Sequence, residues 1–328
     1  MAGVSRKRGA DARRAAAASD VRPFLKWAGG KGQLLDRLAG YFPKALLDGT
    51  LHTYCEPFLG GGAMFFHVMQ RFPHLRSAFL MDVNEELVMT YKVVQTDVES
   101  LIRRLGEMAR SFLKLDEEDR KERFLKVRAS FNRKKSLVNF RKYASDAWVK
   151  RASQLLFLNK TCYNGLFRVN RTGGFNVPFG RYANPPIVNP ENLRRAASLL
   201  RKASIRLGDF GDLRLASSPV KPGTFVYFDP PYLPISKTAS FTAYSQGAFG
   251  EAEQKRLATV FRELHRPGVY QMLSNSDPKN EDPGNDFFED LYSDFRDTLY
   301  RVPASRMINS DPARRGKINE IVITSYRP

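Results

Sequence analysis

Cysteine and long apolar runs are the scarcest features of this 328-residue chain. The two cysteines, Cys55 and Cys162, form neither a Cys-x-x-Cys pair nor a disulfide framework, which points to a reducing compartment. No apolar run approaches the roughly 20 residues that a membrane-spanning helix needs. The first 20 residues also lack the apolar centre of a signal peptide. We therefore expect a cytoplasmic protein that does not span a membrane.

Acidic residues are also in short supply. The chain has 53 Lys and Arg against 34 Asp and Glu, which gives a formal net charge of +19. This surplus favours a polyanionic partner, with nucleic acid as the first candidate. Residues 1–20 are predicted to be a disordered basic arm, either a DNA tether or a solvated extension. Its basic residues are Arg6, Lys7, Arg8, Arg13 and Arg14.

Apolar segments and a glycine turn predict an α/β fold in the first part of the chain. Residues 51–55 predict a strand, residues 56–62 a turn, residues 63–71 a helix and residues 78–81 a second strand that ends at Asp82. This order is typical of the first half of a doubly wound, mostly parallel sheet. The turn lacks the spacing of a dinucleotide or phosphate-loop motif, so neither NAD nor ATP is supported. An acid after the turn can accept hydrogen bonds from a ribose, although Asp82 could instead cap the next helix.

The α/β pattern is interrupted between residues 87 and 195. Charged helical sequence comes first, and residues 164–182 then suggest a hairpin with polar and aromatic tips. We predict a catalytic domain of residues 21–86 and 196–328 with an inserted target-recognition subdomain of residues 87–195. Ten basic residues are crowded into one part of this region, where they form either a basic surface or a merely solvated helical face. The set is Arg120, Lys121, Arg123, Lys126, Arg128, Arg133, Lys134, Lys135, Arg141 and Lys142.

A tetrapeptide, Asp229-Pro230-Pro231-Tyr232, follows an apolar strand predicted at residues 224–228. A carboxylate, a free backbone carbonyl and an aromatic face suit the binding of a planar base with an exocyclic amine. An ordinary turn after a strand is the alternative. Other predicted elements of this half are helices at residues 191–202 and 251–264 and strands near residue 205 and at residues 269–273 and 320–324.

Several segments, in this order, resemble the Dam-like group (D12 class, alpha group) of DNA adenine-N6 methyltransferases. They are residues 24–31 (FLKWAGGK), 56–62 (EPFLGGG), 163–168 (YNGLFR), 175–182 (FNVPFGRY) and 229–232 (DPPY). The resemblance covers nearly everything from Phe24 to the C-terminus. It implies a Rossmann-like methyltransferase fold with an inserted helical and hairpin subdomain that recognises DNA.

The resemblance further implies S-adenosylmethionine as the cofactor. A cationic sulfonium gains from nearby carboxylates and from an aromatic face, and Lys31 could bind the cofactor's carboxylate. For Phe210, core packing is an equally good interpretation. The positions implied to meet the cofactor are Trp27, Lys31, Glu56, Phe58, Gly60, Asp82, Asp209, Phe210 and Asp229.

Methyl transfer to adenine N6 is difficult because the lone pair of that nitrogen is delocalised into the ring. Asp229 and the Pro230 carbonyl could accept hydrogen bonds from the amino group and favour a more tetrahedral nitrogen. Tyr232 would stack on the base, which must first be flipped out of the duplex. Cytosine-C5 methylation is disfavoured, because it needs a cysteine nucleophile and neither Cys55 nor Cys162 follows a proline.

The resemblance also implies a set of DNA contacts and a GATC target. For Arg168 and Arg181, a phosphate contact is the alternative to base recognition. The chain departs from the family at residues 160–162 (KTC, where Arg-Tyr-Gly is more usual) and at Phe167 and Val169. The implied DNA contacts are Lys26, Tyr163, Asn164, Leu166, Arg168, Pro178 and Arg181.

Duplex DNA is thus the expected partner, with no metal and a monomeric enzyme. Methylation of RNA or of a protein glutamine is one alternative, although relatives of that kind usually carry Asn-Pro-Pro-Tyr and lack the segment 24–31. A non-catalytic DNA-binding regulator on the same fold is another, against which the intact Asp229 and Tyr232 argue.

Overall fold

The computed structural model describes residues 20–32, 34–133, 135–143, 145–215, 218–232, 249–305 and 317–328. The predicted basic arm lies outside these residues, apart from Asp20. The helices are α1 (Leu35–Leu38), α2 (Lys44–Leu47), α3 (Ala63–Arg71), α4 (Glu85–Thr96), α5 (Val98–Leu113), α6 (Glu117–Arg133), α7 (Ser145–Thr161), α8 (Pro190–Leu200), α9 (Glu251–Leu264) and α10 (Phe287–Leu291).

In the described residues, seven strands form one sheet with the order β3-β2-β1-β4-β5-β7-β6. All neighbours from β3 to β5 are parallel, and β7 runs antiparallel to both β5 and β6. The predicted α/β, mostly parallel architecture is confirmed. The strands are β1 (Thr53–Glu56), β2 (Ser77–Asp82), β3 (Ala203–Leu207), β4 (Thr224–Phe228), β5 (Val269–Ser276), β6 (Leu299–Ser305) and β7 (Lys317–Thr324).

The central strands are buried on both faces. Tyr54 and Phe225 join the hydrophobic cluster on one face, whereas the next residues, Cys55 and Val226, join the cluster on the other. This alternation follows from the two-residue period of a strand. It explains why β4 reads as a continuous apolar run, as expected of a parallel strand that helices cover on both sides.

Helix α4 connects the sheet to the predicted insertion. It packs against β2 and β3 and also against α7 and α8. Glu86 of α4 forms a buried ion pair with Arg151 of α7, whose guanidinium also donates to the Phe131 carbonyl at 2.7 Å. The predicted boundaries at residues 87 and 195 fall inside α4 and α8, and the division into domains stays a prediction.

The predicted hairpin at residues 164–182 is present as two antiparallel bridges rather than as two regular strands. Cys162 pairs with Phe179, and Val169 pairs with Phe175. The Asn132 side chain binds both the N–H and the carbonyl of Phe175 at 2.9 and 3.0 Å. The hairpin is therefore attached to α6.

Candidate active site

The carboxyl ends of β1 and β4 lie side by side where the strand order reverses. Strand β1 ends at Glu56 and leads into the glycine turn, and β4 ends at Phe228 and leads into Asp229. In open parallel sheets, ligands bind in the crevice beyond the strand ends at such a reversal. The fold thus brings together two motifs that are far apart in the sequence.

Lys31, which is buried, forms an ion pair with the half-buried Asp229. The Lys31 Nζ lies 2.8 Å from Asp229 Oδ1 and 4.1 Å from the centroid of the Tyr232 ring. Ser274 Oγ donates to the same carboxylate oxygen at 3.4 Å. Burial raises the pKa of Asp229 above its ordinary value, and the Lys31 ammonium opposes that rise. The Asp229 carboxylate is therefore presented as an acceptor beside an aromatic face.

Glu320 belongs to this site although the sequence motifs did not identify it. Tyr232 Oη donates a hydrogen bond of 2.5 Å to Glu320 Oε2, which lies 4.0 Å from Lys31 Nζ. Burial raises the pKa of Glu320, whereas Lys31 and the hydrogen bond from Tyr232 lower it. The signal that could have revealed it is an acid within the apolar strand segment 318–323 (INEIVI).

Asp82 holds the glycine turn between β1 and α3. Its Oδ2 accepts from the Gly60 N–H at 3.0 Å and its Oδ1 from the Asn84 N–H at 2.9 Å. The side chain that caps α4 is that of Asn84, which accepts from the Leu87 N–H at 3.0 Å. The alternative role of Asp82 as the helix cap is therefore wrong. Two residues predicted to meet the cofactor, Gly60 and Asp82, are in direct contact.

Glu56 is buried behind the same turn. Tyr54 Oη donates to Glu56 Oε2 at 2.8 Å. Burial raises the pKa of Glu56 well above its ordinary value, and the nearby Asp229 and Asp82 carboxylates raise it further. The ionised form of Glu56 is therefore disfavoured, and a cationic ligand nearby would stabilise it.

Trp27 lies between the glycine turn and the loop predicted to contact DNA. Its indole stacks on Phe167 with 5.0 Å between ring centroids. A Cβ added to Gly60 would come within 3.2 Å of the indole, so the turn approaches Trp27 closely. One aromatic side chain thus touches both the predicted cofactor turn and the predicted DNA loop.

Asn159 of α7 is a second residue that the sequence motifs did not identify. It is buried, accepts from the Lys26 N–H at 2.8 Å and donates to the carbonyls of Lys26 and Gly165, each at 2.9 Å. Gly165 has a φ of +66°, and a Cβ there would come within 2.4 Å of the Lys26 side chain. A single polar side chain therefore joins segments 24–31 and 163–168.

Asp209 and Phe210 already have partners within the protein. Arg256 binds both carboxylate oxygens of Asp209 at 2.5 and 2.8 Å and lies 3.9 Å from the centroid of the Phe210 ring. The hydrogen bond from Arg256 lowers the pKa of Asp209. Phe210 is buried 5.2 Å from the ring of Phe58. Core packing is therefore one role of Phe210, and contact with the cofactor stays a prediction.

The predicted DNA loop exposes its side chains while its backbone is held from inside. Tyr163 and Leu166 are 56% and 41% exposed. The Tyr163 N–H donates to the Pro178 carbonyl at 2.9 Å. Asn164 has a left-handed φ of 56°, and its N–H donates to Tyr182 Oη at 2.9 Å. Hydrogen bonds to the main chain thus hold the loop, while the Tyr163 and Leu166 side chains stay exposed.

Three arginines of the predicted insertion show two kinds of environment. Arg120 donates to three main-chain carbonyls and so has a structural role. Arg181 is exposed, with Nε 3.7 Å from Glu117, and Arg168 Nε donates to Asn176 Oδ1 at 3.0 Å. Exposed guanidinium groups of this second kind can exchange such partners for phosphates.

A cleft of about 400 Å³ opens between the end of β2 and the hairpin. Its walls include residues 83–86 on one side and Phe167 and Val169 on the other. Within the described ranges, no cluster of His, Cys, Asp or Glu could hold a metal ion. No helix in that part of the chain is long and apolar enough to cross a bilayer.

The chain is similar to known proteins over nearly its whole length. A family model described as D12 class N6 adenine-specific DNA methyltransferase matches residues 27–308. The chain is 44% identical to the type II methyltransferase M.MjaIII of Methanocaldococcus jannaschii, over 94% of this chain and 100% of that protein. It is 32% identical to the DNA adenine methylase of Escherichia coli strain K12, over 94% of this chain and 96% of the relative. The chain belongs to the D12 class of N6 adenine-specific DNA methyltransferases.

Proposed function

We propose that this enzyme methylates a flipped adenine in GATC sites of duplex DNA, with S-adenosylmethionine as the methyl donor. One observation carries the assignment of the reacting residues. The Lys31 ammonium lies 2.8 Å from Asp229 and over the face of Tyr232. Like an adenine amino group, it is a nitrogen that donates hydrogen bonds. An adenine amino group needs the same two neighbours, so Lys31 marks the position that the base would take.

At that position, Asp229 Oδ1 and the Pro230 carbonyl would accept the two amino hydrogens of the base. These hydrogen bonds would reduce delocalisation of the nitrogen lone pair and orient it toward the methyl donor. Tyr232 would stack on the flipped ring and so recover part of the few kcal/mol that unstacking costs. Lys31 would have to move away from Asp229, and Glu320, whose Oε2 lies 4.0 Å from its Nζ, could then become its partner.

The residues around Lys31 suit a cationic cofactor. Bound S-adenosylmethionine would supply a methyl group on a positively charged sulfur. The site contributes an excess of carboxylates that such a charge would balance, and Gly60 keeps one wall free of side chain. Trp27 adds an aromatic face beside that wall. The carboxylates are those of Glu56, Asp82, Asp229 and Glu320.

GATC is proposed from the resemblance to Dam-like enzymes, with residues 87–195 as the target-recognition subdomain. Most departures from the family pattern lie in packing positions. Thr161 and Cys162 are buried, and Phe167 stacks on Trp27. Lys160 is half-buried, and Val169, at 44% exposure, is the most exposed of these departures.

The test is to incubate the purified protein with labelled S-adenosylmethionine and plasmid DNA, and then to map the modified adenines. We expect label at GATC adenines and a loss of at least about 1,000-fold in Asp229→Ala. Asp36→Ala, on the exposed surface of α1, is the matched control and should retain full activity. Transfer to RNA or protein alone, or an active Asp229→Ala enzyme, would contradict the proposal.

A further inference from the structure

Tyr232 is hydrogen-bonded to a residue from a non-neighbouring strand of the sheet. It follows β4, whereas Glu320 lies on β7, and β5 separates the two strands in the sheet. The 2.5 Å hydrogen bond between Tyr232 Oη and Glu320 Oε2 spans 88 positions of the sequence. Glu320 pairs with Ser276 of β5 and Val302 of β6, so strands on both sides hold its backbone.

The main chain of the tetrapeptide is held separately. Gln254 Nε2 of α9 donates to the Pro231 carbonyl at 3.2 Å, and Asn275 Nδ2 donates to Gln254 Oε1 at 3.2 Å. These contacts leave the two side-chain torsions of Tyr232 to be set by other groups. A ring that serves as a stacking surface is effective only when its plane is fixed before the base arrives.

We propose that Glu320 is a positioning residue of the methyltransferase site, which fixes the ring plane of Tyr232 through the tyrosine hydroxyl. The inference rests on the proposed role of Tyr232 as the surface on which the flipped adenine stacks. Glu320 does not touch the reacting nitrogen. It acts through Tyr232, and it offers the displaced Lys31 ammonium a second carboxylate.

The charges around the hydrogen bond between Tyr232 and Glu320 favour Tyr232 as the donor and Glu320 as the acceptor. Burial and the neighbouring Asp229 and Glu320 carboxylates raise the pKa of Tyr232 well above its ordinary value, so its hydroxyl stays protonated and donates. Burial raises the pKa of Glu320, whereas Lys31, 4.0 Å away, and the hydrogen bond from Tyr232 oppose that rise and favour the ionised form. A hydrogen bond to an ionised acceptor is shorter and stronger than one between neutral groups.

The test is a double-mutant cycle on single-turnover methyl transfer with Glu320→Gln, Tyr232→Phe and the double variant. We expect each single change to slow the reaction by about tenfold, and the double variant to be no slower than either. The dissociation constant for DNA should change less than about threefold, because the interaction matters after binding. Tyr292→Phe is the matched control, since its buried hydroxyl has no hydrogen-bond partner within the described structure.

A Glu320→Gln enzyme with the wild-type rate would overturn the inference, and so would a double variant whose loss is the product of the two single losses. Tyr232→Phe provides an independent decision if Glu320→Gln does not fold, because a wild-type rate without the hydroxyl also overturns it. A wild-type protein that transfers no methyl group would instead overturn the proposed function. The same cycle on the unfolding equilibrium would then decide whether the bond exists, with non-additivity of about tenfold expected.

Discussion

At the scale of single residues, the site is defined by carboxylates whose charge the protein only partly balances. Asp229 has Lys31 as its counterion, and Tyr54 donates a hydrogen bond to Glu56. Burial raises the pKa of both acids. Groups perturbed in this way are common in active sites, where a ligand supplies the missing interaction.

Replacing Lys31 by methionine should move the acid limb of the pH–activity profile to higher pH. Lys31 lowers the pKa of Asp229, so its loss leaves burial to act unopposed and the pKa rises further. Asp229 accepts hydrogen bonds in its ionised form, and activity would be lost at a higher pH than in the wild type. The measurement is kcat/KM against pH, which reports the free enzyme. Lys44→Met, on an exposed position of α2, should leave the profile unchanged, and an unshifted limb in Lys31→Met would refute the argument.

Glu56→Gln should stabilise the protein at neutral pH while weakening cofactor binding. The folded-state pKa of Glu56 lies above its unfolded value, so the native state binds more protons and stability falls as pH rises between the two. The variant lacks this loss, so its stability advantage over the wild type should grow as the pH rises through that window. Urea unfolding at several pH values tests it. Glu107→Gln, at an exposed position, should change stability by less than about 0.5 kcal/mol.

At the scale of elements, the turn between β1 and α3 decides the shape of the site. Gly62 caps α3 with a φ of +68°, a conformation that disfavours side chains. A Cβ there would also meet Tyr91 Oη at 2.5 Å. The turn therefore needs glycine at this position for two separate reasons.

Gly62→Ala should lower the free energy of unfolding by at least about 2 kcal/mol, from backbone strain and overpacking. Adding Tyr91→Phe should restore part of this loss, because the atom nearest the new methyl group is then removed. Gly40→Ala, where the structure leaves open space, should stay within about 0.5 kcal/mol of the wild type. Urea titration of the four proteins measures these differences. Equal stability of the Gly62 and Gly40 variants would show that the turn tolerates a side chain.

The helices and strands predicted from the sequence differ in how closely their bounds match those of the structure. Helices α3 and α9 begin and end at the predicted residues, because a glycine precedes each and apolar spacing marks its length. Strand β6 was not predicted. Pro303 lies inside it and interrupts the usual strand pattern, and an edge strand tolerates proline. The hairpin pairs only at two bridges, since its glycines and its one proline, Pro178, limit regular ladders.

At the scale of the whole molecule, the excess of positive charge bears on DNA binding. Five of the basic residues lie in the predicted arm, residues 1–20. Asp20 is the one residue of this arm that the structure describes. Deleting residues 1–19 should reduce non-specific DNA affinity and leave the preferred sequence unchanged. The slope of log Kd against log salt should fall in magnitude by up to about 4.5, or about 0.9 for each phosphate that the arm neutralises in the full-length protein. An unchanged slope, measured by salt titration on non-specific duplex, would favour the solvated-extension interpretation.

The sequence by itself determined the α/β class, most helices and strands, and the motifs that carry the family resemblance. These features depend on neighbours along the chain: the period of apolar residues, the position of glycines and the order of motifs. Only the tertiary structure decided that Lys31, Asp229, Tyr232 and Glu320 meet, and that Asn159 joins two loops. Such meetings depend on the order of strands in the sheet, because side chains from β7, the segment after β4 and the segment before α1 converge only after distant segments have paired. Local patterns contain no information about that pairing.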